Sequence, residues 1–192
     1  MSMRARLGFA VVIVVGLVLS GCITLRGMRE VPKDRVSTSP PADQAAIVFL
    51  RTARNGTTTS LFELREPQDR FIGLLVNDTR LVYLTAPGRT RFMVVGMTAS
   101  FLDADLQPGR TYQVAVAPGV AGEYFRLQPV RPGASPKDVD YCQAYCTWVE
   151  NSDKSQAWAR NQWSSIQRKK ARYLPDWEKQ PSRPVLVAGD GR

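Results

Sequence analysis

Short apolar-rich segments follow one another along the middle of the chain: Ala46 to Arg51, Ser60 to Arg65, Phe71 to Asn77, Leu81 to Thr85, Thr90 to Met97, Phe101 to Leu106, Thr111 to Ala117 and Glu123 to Val130. Pro87-Gly88 and Pro108-Gly109 punctuate them as turn signals. Within several segments the period is two, as where Tyr112, Val114 and Val116 alternate with Gln113, Ala115 and Ala117. Short strands with tight turns and no helical pattern between them predict a mainly β domain over residues 45–130, an antiparallel sandwich or barrel. That length buries one modest core.

From Ser135 the period lengthens. Ser135 as a cap, Pro136 at the first helical position and Asp138 at the third predict a helix start. Val139, Cys142, Cys146 and Val149 then recur at three and four, with Tyr141, Tyr145 and Trp148 on an adjacent stripe. Asn151-Ser152-Asp153 breaks this run and caps a second helix, expected to reach Tyr173 and to stop before Pro175. Ala159, Trp163, Ile166 and Tyr173 give it an apolar stripe. Residues 131–176 therefore read as a helical extension of one or two C-terminal helices, and residues 177–192 as a loose Pro- and Gly-bearing tail.

The other end of the chain reads as an address. Arg4 and Arg6 precede an apolar run from Leu7 to Leu19, and Leu19-Ser20-Gly21-Cys22 follows it. The run is short of the roughly 20 apolar residues of a spanning helix. Counting on to Leu25 brings it near that length, so an uncleaved membrane anchor competes with a cleaved signal over residues 1–21. The last four residues resemble the lipobox of bacterial lipoproteins, which implies a diacylglycerol on the Cys22 sulfur and cleavage before that residue. Residues 22–44, with Pro32, Pro40, Pro41 and Ser37-Thr38-Ser39, are expected to form the lipidated cysteine and a flexible tether. An aspartate after the cysteine would signal retention in the inner membrane. Ile23 stands there instead, which implies an outer-membrane, periplasm-facing location.

The chain carries 26 Lys and Arg against 17 Asp and Glu; removing Arg4 and Arg6 with the signal leaves about +7 (24 minus 17). That balance suits anionic lipid, lipopolysaccharide or a cell-wall polymer, and export makes nucleic acid an unexpected partner. Two thiols then remain, Cys142 and Cys146. An oxidising compartment favours a disulfide between them. A regular helix would place their side chains on one face without the backbone geometry of an easy bridge, so an irregular helix with a disulfide competes with two free, buried thiols.

The order of features over residues 46–117 resembles a family of small uncharacterised bacterial lipoprotein β-domains, PEGA-like in style. The resemblance is carried by Ile47-Val48-Phe49-Leu50-Arg51, by Phe71-Ile72-Gly73-Leu74-Leu75-Val76-Asn77-Asp78, by Tyr83 with Pro87-Gly88-Arg89, and by Leu106-Gln107-Pro108-Gly109-Arg110-Thr111-Tyr112. These are strand and turn motifs, so they imply a fold and no activity. Thr79 departs from the pattern, in which a glycine follows the acidic residue and sets a hairpin turn.

The chain contains no histidine, which removes Ser-His and Cys-His nucleophile pairs and imidazole metal ligands. Three residues lie between Cys142 and Cys146 where disulfide oxidoreductases have two. They also supply only half of a closed zinc site. Asp103 and Asp105 share a strand face and could hold a cation, although exposed pairs of this kind are usually solvated. Asn55-Gly56-Thr57 and Asn77-Asp78-Thr79 match the glycan acceptor pattern, which is common by chance. Trp158, Arg160, Trp163, Arg168, Lys169, Lys170 and Arg172 are the candidate surface contact. Consecutive helical residues lie 100° apart, so Arg168-Lys169-Lys170 wraps the helix, and a solvated basic helix packing Trp163 and Ile166 on the β-domain competes. The reading is a non-enzymatic envelope lipoprotein with no cofactor and no metal, binding an anionic envelope component or another envelope protein. The alternative is a periplasmic enzyme or small-ligand carrier working through a cleft between β-domain and helices.

Overall fold

The computed structural model describes residues 25–53, 57–119, 125–133 and 135–192. Cys22, Asn55 and Glu123 lie outside the described residues. Among those described there are eleven strands and two α-helices, in the order β1 (Arg29–Glu30), β2 (Ala45–Arg51), β3 (Thr59–Leu64), β4 (Arg70–Leu75), β5 (Thr79–Thr85), β6 (Gly88–Val95), β7 (Ala99–Leu106), β8 (Thr111–Pro118), β9 (Phe125–Pro129), α1 (Lys137–Tyr145), β10 (Thr147–Glu150), α2 (Asp153–Glu178) and β11 (Val185–Leu186). The eight strands β2 to β9 fall on the eight apolar segments of the sequence.

These strands form a sandwich of two sheets, not a closed barrel: one of order β1-β10-β5-β2-β8-β9 and one of order β11-β7-β6-β3-β4. Most pairs are antiparallel, but β2 with β8, β10 with β5 and β11 with β7 are parallel. Alternation specifies which face of a strand is buried and says nothing of its neighbour's direction. β8 returns from the second sheet at the end where β2 begins, so the Ala46 N–H meets the Arg110 carbonyl at 3.0 Å and the two strands run in register together.

Four successive connections, β2–β3, β4–β5, β5–β6 and β7–β8, cross between the sheets. The expected hairpin at Asn77-Asp78-Thr79 is one of them, since β4 and β5 belong to different sheets. Asp78 itself takes the left-handed conformation at φ 56°, which aspartate tolerates better than most residues. The Thr79 hydroxyl then closes the corner, donating to the Val76 carbonyl at 2.7 Å and accepting the Val76 N–H at 3.1 Å. A glycine at position 79 is therefore not needed. Gly88 (φ 103°) and Gly109 (φ 69°) supply left-handed residues at the β5–β6 and β7–β8 corners.

The interior between the sheets holds Ile47, Phe49, Leu61, Leu74, Phe92, Val94, Tyr112, Val114 and Val116. Phe49 and Phe92 meet edge to face across it, 5.5 Å between centroids. The outer faces are covered too. Val48, Leu50 and Ala115 lie under Val139 and Cys142 of α1, and Phe62, Met93 and Phe101 lie under Ile166 and Trp177 of α2. Every residue of β2 is consequently buried, which accounts for its continuous apolar run.

The helical end departs from expectation at its boundaries. Pro136, not Ser135, occupies the cap of α1, and no side chain caps it. The helix stops at Tyr145, and Cys146 is extended (φ −65°, ψ 137°). Val149, expected on a helical stripe, belongs to β10. The backbone turns there because Thr147 pairs with Thr79, its N–H donating to the Asp78 carbonyl at 2.9 Å. Ser152 caps α2, accepting from Lys154 N, and Ser155 completes a capping box. Pro175 does not end this helix, which runs on to Glu178.

Neither the tether nor the loose tail is free of the fold. Leu25 packs against the inter-sheet core, and Met28 is buried there with its sulfur accepting the Leu74 N–H at 3.3 Å. β1 adds to the first sheet beside β10. At the other end β11 adds to the second sheet beside β7, Leu186 is fully buried, and Arg192 exchanges backbone hydrogen bonds of 3.0 and 3.1 Å with Thr111. Polar and proline-rich composition carries no period, so packing that depends on one Met or one Leu leaves no pattern to read.

Candidate functional site: an arginine-lined groove at one edge of the sandwich

The two sheets end on the same side in β9 and β11, and no strand among the described residues pairs with the outer edge of either. Between them runs an open groove of 1270 Å³. Its walls are Arg126 to Val130 of the β9 edge, Pro136 and Val139 at the start of α1, Trp177 and Gln180 at the end of α2, and Pro184 and Val185 leading through β11. A drug-sized ligand fills roughly 300–1,000 Å³. The groove exceeds that range, and its long walls suit an extended segment better than a compact molecule.

Three guanidinium groups line it: Arg126, Arg131 and Arg183. Arg131 is held loosely, 3.6 Å from the buried Asp190 carboxylate and largely exposed. Arg183 donates to the Glu178 carbonyl at 3.0 Å, sits 3.7 Å from Asp103 and lies 5.1 Å above the Trp177 ring. The Nε of Arg126 is buried with no hydrogen-bond partner. Asp138 is the one carboxylate among the described lining residues, and its Oδ1 accepts the Val139 N–H at 3.1 Å. A pair of carboxylates for general acid and base work is therefore not assembled there. What the lining offers is donors for an anion, apolar surface at Val185 and Val187, and two strand edges.

The candidate surface stripe of the sequence does not come together. Trp158 packs tilted against Phe71 at 6.2 Å between centroids and Trp163 meets Phe62 edge-on at 6.1 Å, so both indoles face the second sheet. Lys170 pairs with Asp69 at 2.8 Å, and Lys169 donates to the Gly96 carbonyl. Arg160, Arg168 and Arg172 are exposed, the last with its guanidinium 5.3 Å over Tyr173. α2 thus packs Trp163 and Ile166 on the β-domain, the competing arrangement, and leaves Arg160, Arg168 and Arg172 to solvent. Asp103, considered for a cation, is already paired with Arg91 at 2.7 Å and approached by Arg183, while Asp105 points to solvent.

Cys142 and Cys146 form a disulfide, with 4.6 Å between their Cα atoms. The end of α1 at Tyr145 makes it possible: Cys146 leaves the helix as an extended residue, so the bond does not have to bridge a regular turn. The bridge lies under the first sheet beside Val48 and Leu50, remote from solvent.

Two charges buried to 1% exposure or less escaped the sequence reading. Glu63 is fully buried and accepts from the hydroxyls of Thr85 (2.7 Å), Tyr83 (2.8 Å) and Thr90 (3.0 Å), with Arg65 at 3.4 Å. Burial first, and the Glu63 charge and hydrogen bond next, push the Tyr83 hydroxyl above its ordinary range, against a smaller pull from Arg70. Arg51 is 1% exposed and donates to the carbonyls of Ala53 and Thr57, both at 2.8 Å, and to the Thr59 hydroxyl at 2.9 Å, with Phe125 stacked at 4.1 Å. Burial pushes its guanidinium down to about 10, which leaves it charged at neutral pH. Each ties one strand or sheet to the next. The available signal was register: Glu63 shares the inward face of β3 with Leu61, where a solvated residue does not belong.

No protein-family model matches the chain, and no curated protein matches it in sequence.

Proposed function

We propose that the chain is a cell-envelope lipoprotein, anchored by lipid on Cys22 at the periplasmic face of the outer membrane, with a non-enzymatic binding or structural role. The observation that carries the reading is the order basic stretch, apolar run and Leu19-Ser20-Gly21-Cys22. Among the described residues no helix is long and apolar enough to cross a membrane. Stable anchoring by acyl groups takes at least two chains, a condition that a diacylglycerol meets. The test is metabolic labelling with a fatty acid analogue. Wild type should incorporate label and fractionate with outer membrane, and Cys22→Ala should persist as an unlabelled, longer precursor. Equal labelling of both, or a wild-type chain free in periplasmic extract, rejects the reading.

The groove favours one kind of binding over another. Three arginines, a single carboxylate and two open strand edges suit an extended anionic segment of another envelope component, recognised by strand addition and charge. The competing reading, an enzyme or small-ligand carrier, uses the same cleft. It would require turnover or small-molecule affinity that is lost on substituting Asp138.

A further inference from the structure

The region expected to hold the domain away from the membrane is part of the domain. Residues 25–31 fill the side of the sandwich opposite the groove, where β1 ends one sheet and β4 ends the other. The Met28 N–H closes a turn on the Leu25 carbonyl at 2.9 Å, and the Met28 side chain lies between the sheets. Gly27, at φ 91°, presses on the start of α2, where an added Cβ would meet the Lys154 Cβ at 3.1 Å. The Ser152 hydroxyl donates to the Gly27 carbonyl, and the Val31 N–H donates to the Trp148 carbonyl at 2.9 Å.

Only three virtual bonds separate Cys22 from Leu25, and at 3.8 Å each they reach about 11 Å at most. The headgroup layer on one side of a bilayer is roughly 5–8 Å deep. A lipid on Cys22 with its chains in the hydrocarbon therefore leaves Leu25 at the headgroups. The exposed residues of this edge mix Arg26, Arg29 and Lys154 with Glu30, Glu150 and Asp153, so the short reach from Cys22, and not net charge, brings it to the headgroups.

We infer that the β1/β4 edge of the sandwich, with Arg26 and the start of α2 around Lys154, rests directly on the phospholipid headgroup surface, and that the arginine-lined groove faces away from it. The inference rests on the proposed lipid on Cys22. The first sheet carries the separation: six strands at about 4.8 Å spacing place β9 roughly 24 Å from β1. A short reach at one edge thus orients the whole molecule, and the binding groove opens toward the periplasm.

The experiment uses the mature lipidated protein in vesicles of phosphatidylethanolamine and phosphatidylglycerol, with a thiol-reactive fluorophore at Lys154→Cys or at Arg131→Cys. Flotation reports anchoring, and a phospholipid spin-labelled at its headgroup quenches only fluorophores that touch the surface. Asp153→Cys gives a second label at the same edge, should the change at Lys154 disturb Gly27. The expected result is quenching several-fold stronger at position 154 or 153 than at 131. Protein that floats with equal quenching at both edges overturns the inference and leaves the lipid standing; protein that does not float overturns both.

Discussion

Glu63 shows what a single residue contributes in this fold. It sits at zero exposure between the sheets, and three hydroxyls from β5 and β6 point their protons at it. Glu63→Ala leaves those hydroxyls without an acceptor, and a buried unsatisfied group costs about 1–3 kcal/mol. A loss of roughly 2–4 kcal/mol in urea denaturation is expected, with Glu63→Gln losing less because it keeps an acceptor. The network also has a pH signature. The folded state holds the Tyr83 hydroxyl above its ordinary value of 10.0, so the protonated form is favoured on folding. That contribution is complete below pH 10 and is lost as pH rises above it. Wild type should therefore lose stability relative to Tyr83→Phe as the pH passes 10, the other tyrosines cancelling in the difference. A difference that stays flat would show that Tyr83 titrates alike in both states. In the sequence Arg51 reads as the ordinary end of a strand, and only the register of Glu63 with Leu61 points to a buried carboxylate.

Elements were legible wherever a period had room to repeat. β2 to β9 lie where apolar alternation placed them, while β1, β10 and β11 span two to four residues and carry no period. The end of α2 shows the limit of local rules. Proline inside a helix forfeits a hydrogen bond and costs about 3 kcal/mol or more, yet α2 continues through Pro175 to Glu178. Trp177 explains it: the indole is buried against Phe101 at 5.5 Å, and Arg91 lies over it at 4.8 Å while bonding both Asp103 and Glu178. Tertiary packing overrides the local preference. Trp177→Ala should cost about 3–5 kcal/mol and release the last turn. Hydrogen exchange then shows faster amides at Trp177 and Glu178, with the first turn of α2 still protected by its Ser152 cap. Unchanged protection at Trp177 and Glu178 would mean that the turn survives on its own propensity.

At the scale of the whole molecule, both ends of the described chain close the sandwich, and they do so at opposite edges. Alternation could predict a buried face but not which strands neighbour each other, so the groove was legible only as an unspecified cleft beside the helices. The C-terminal residues decide how that edge is finished. Leu186 is fully buried, Gly191 lies so close to the Tyr112 ring that an added Cβ would meet it at 2.8 Å, and Asp190 is buried with its carboxylate accepting the Val187 N–H. Deleting residues 185–192 removes Leu186, whose burial contributes about 1.5–3 kcal/mol, and strips β7 of its parallel partner. The truncated protein should unfold at lower temperature and lose at least the Leu186 contribution in urea. It should also associate at concentrations where the full chain is monodisperse, because an uncovered strand edge is a template for pairing. A loose tail makes the opposite prediction, equal stability and equal dispersity, so one melting curve and one light-scattering trace decide between a tail and a strand that completes the sheet.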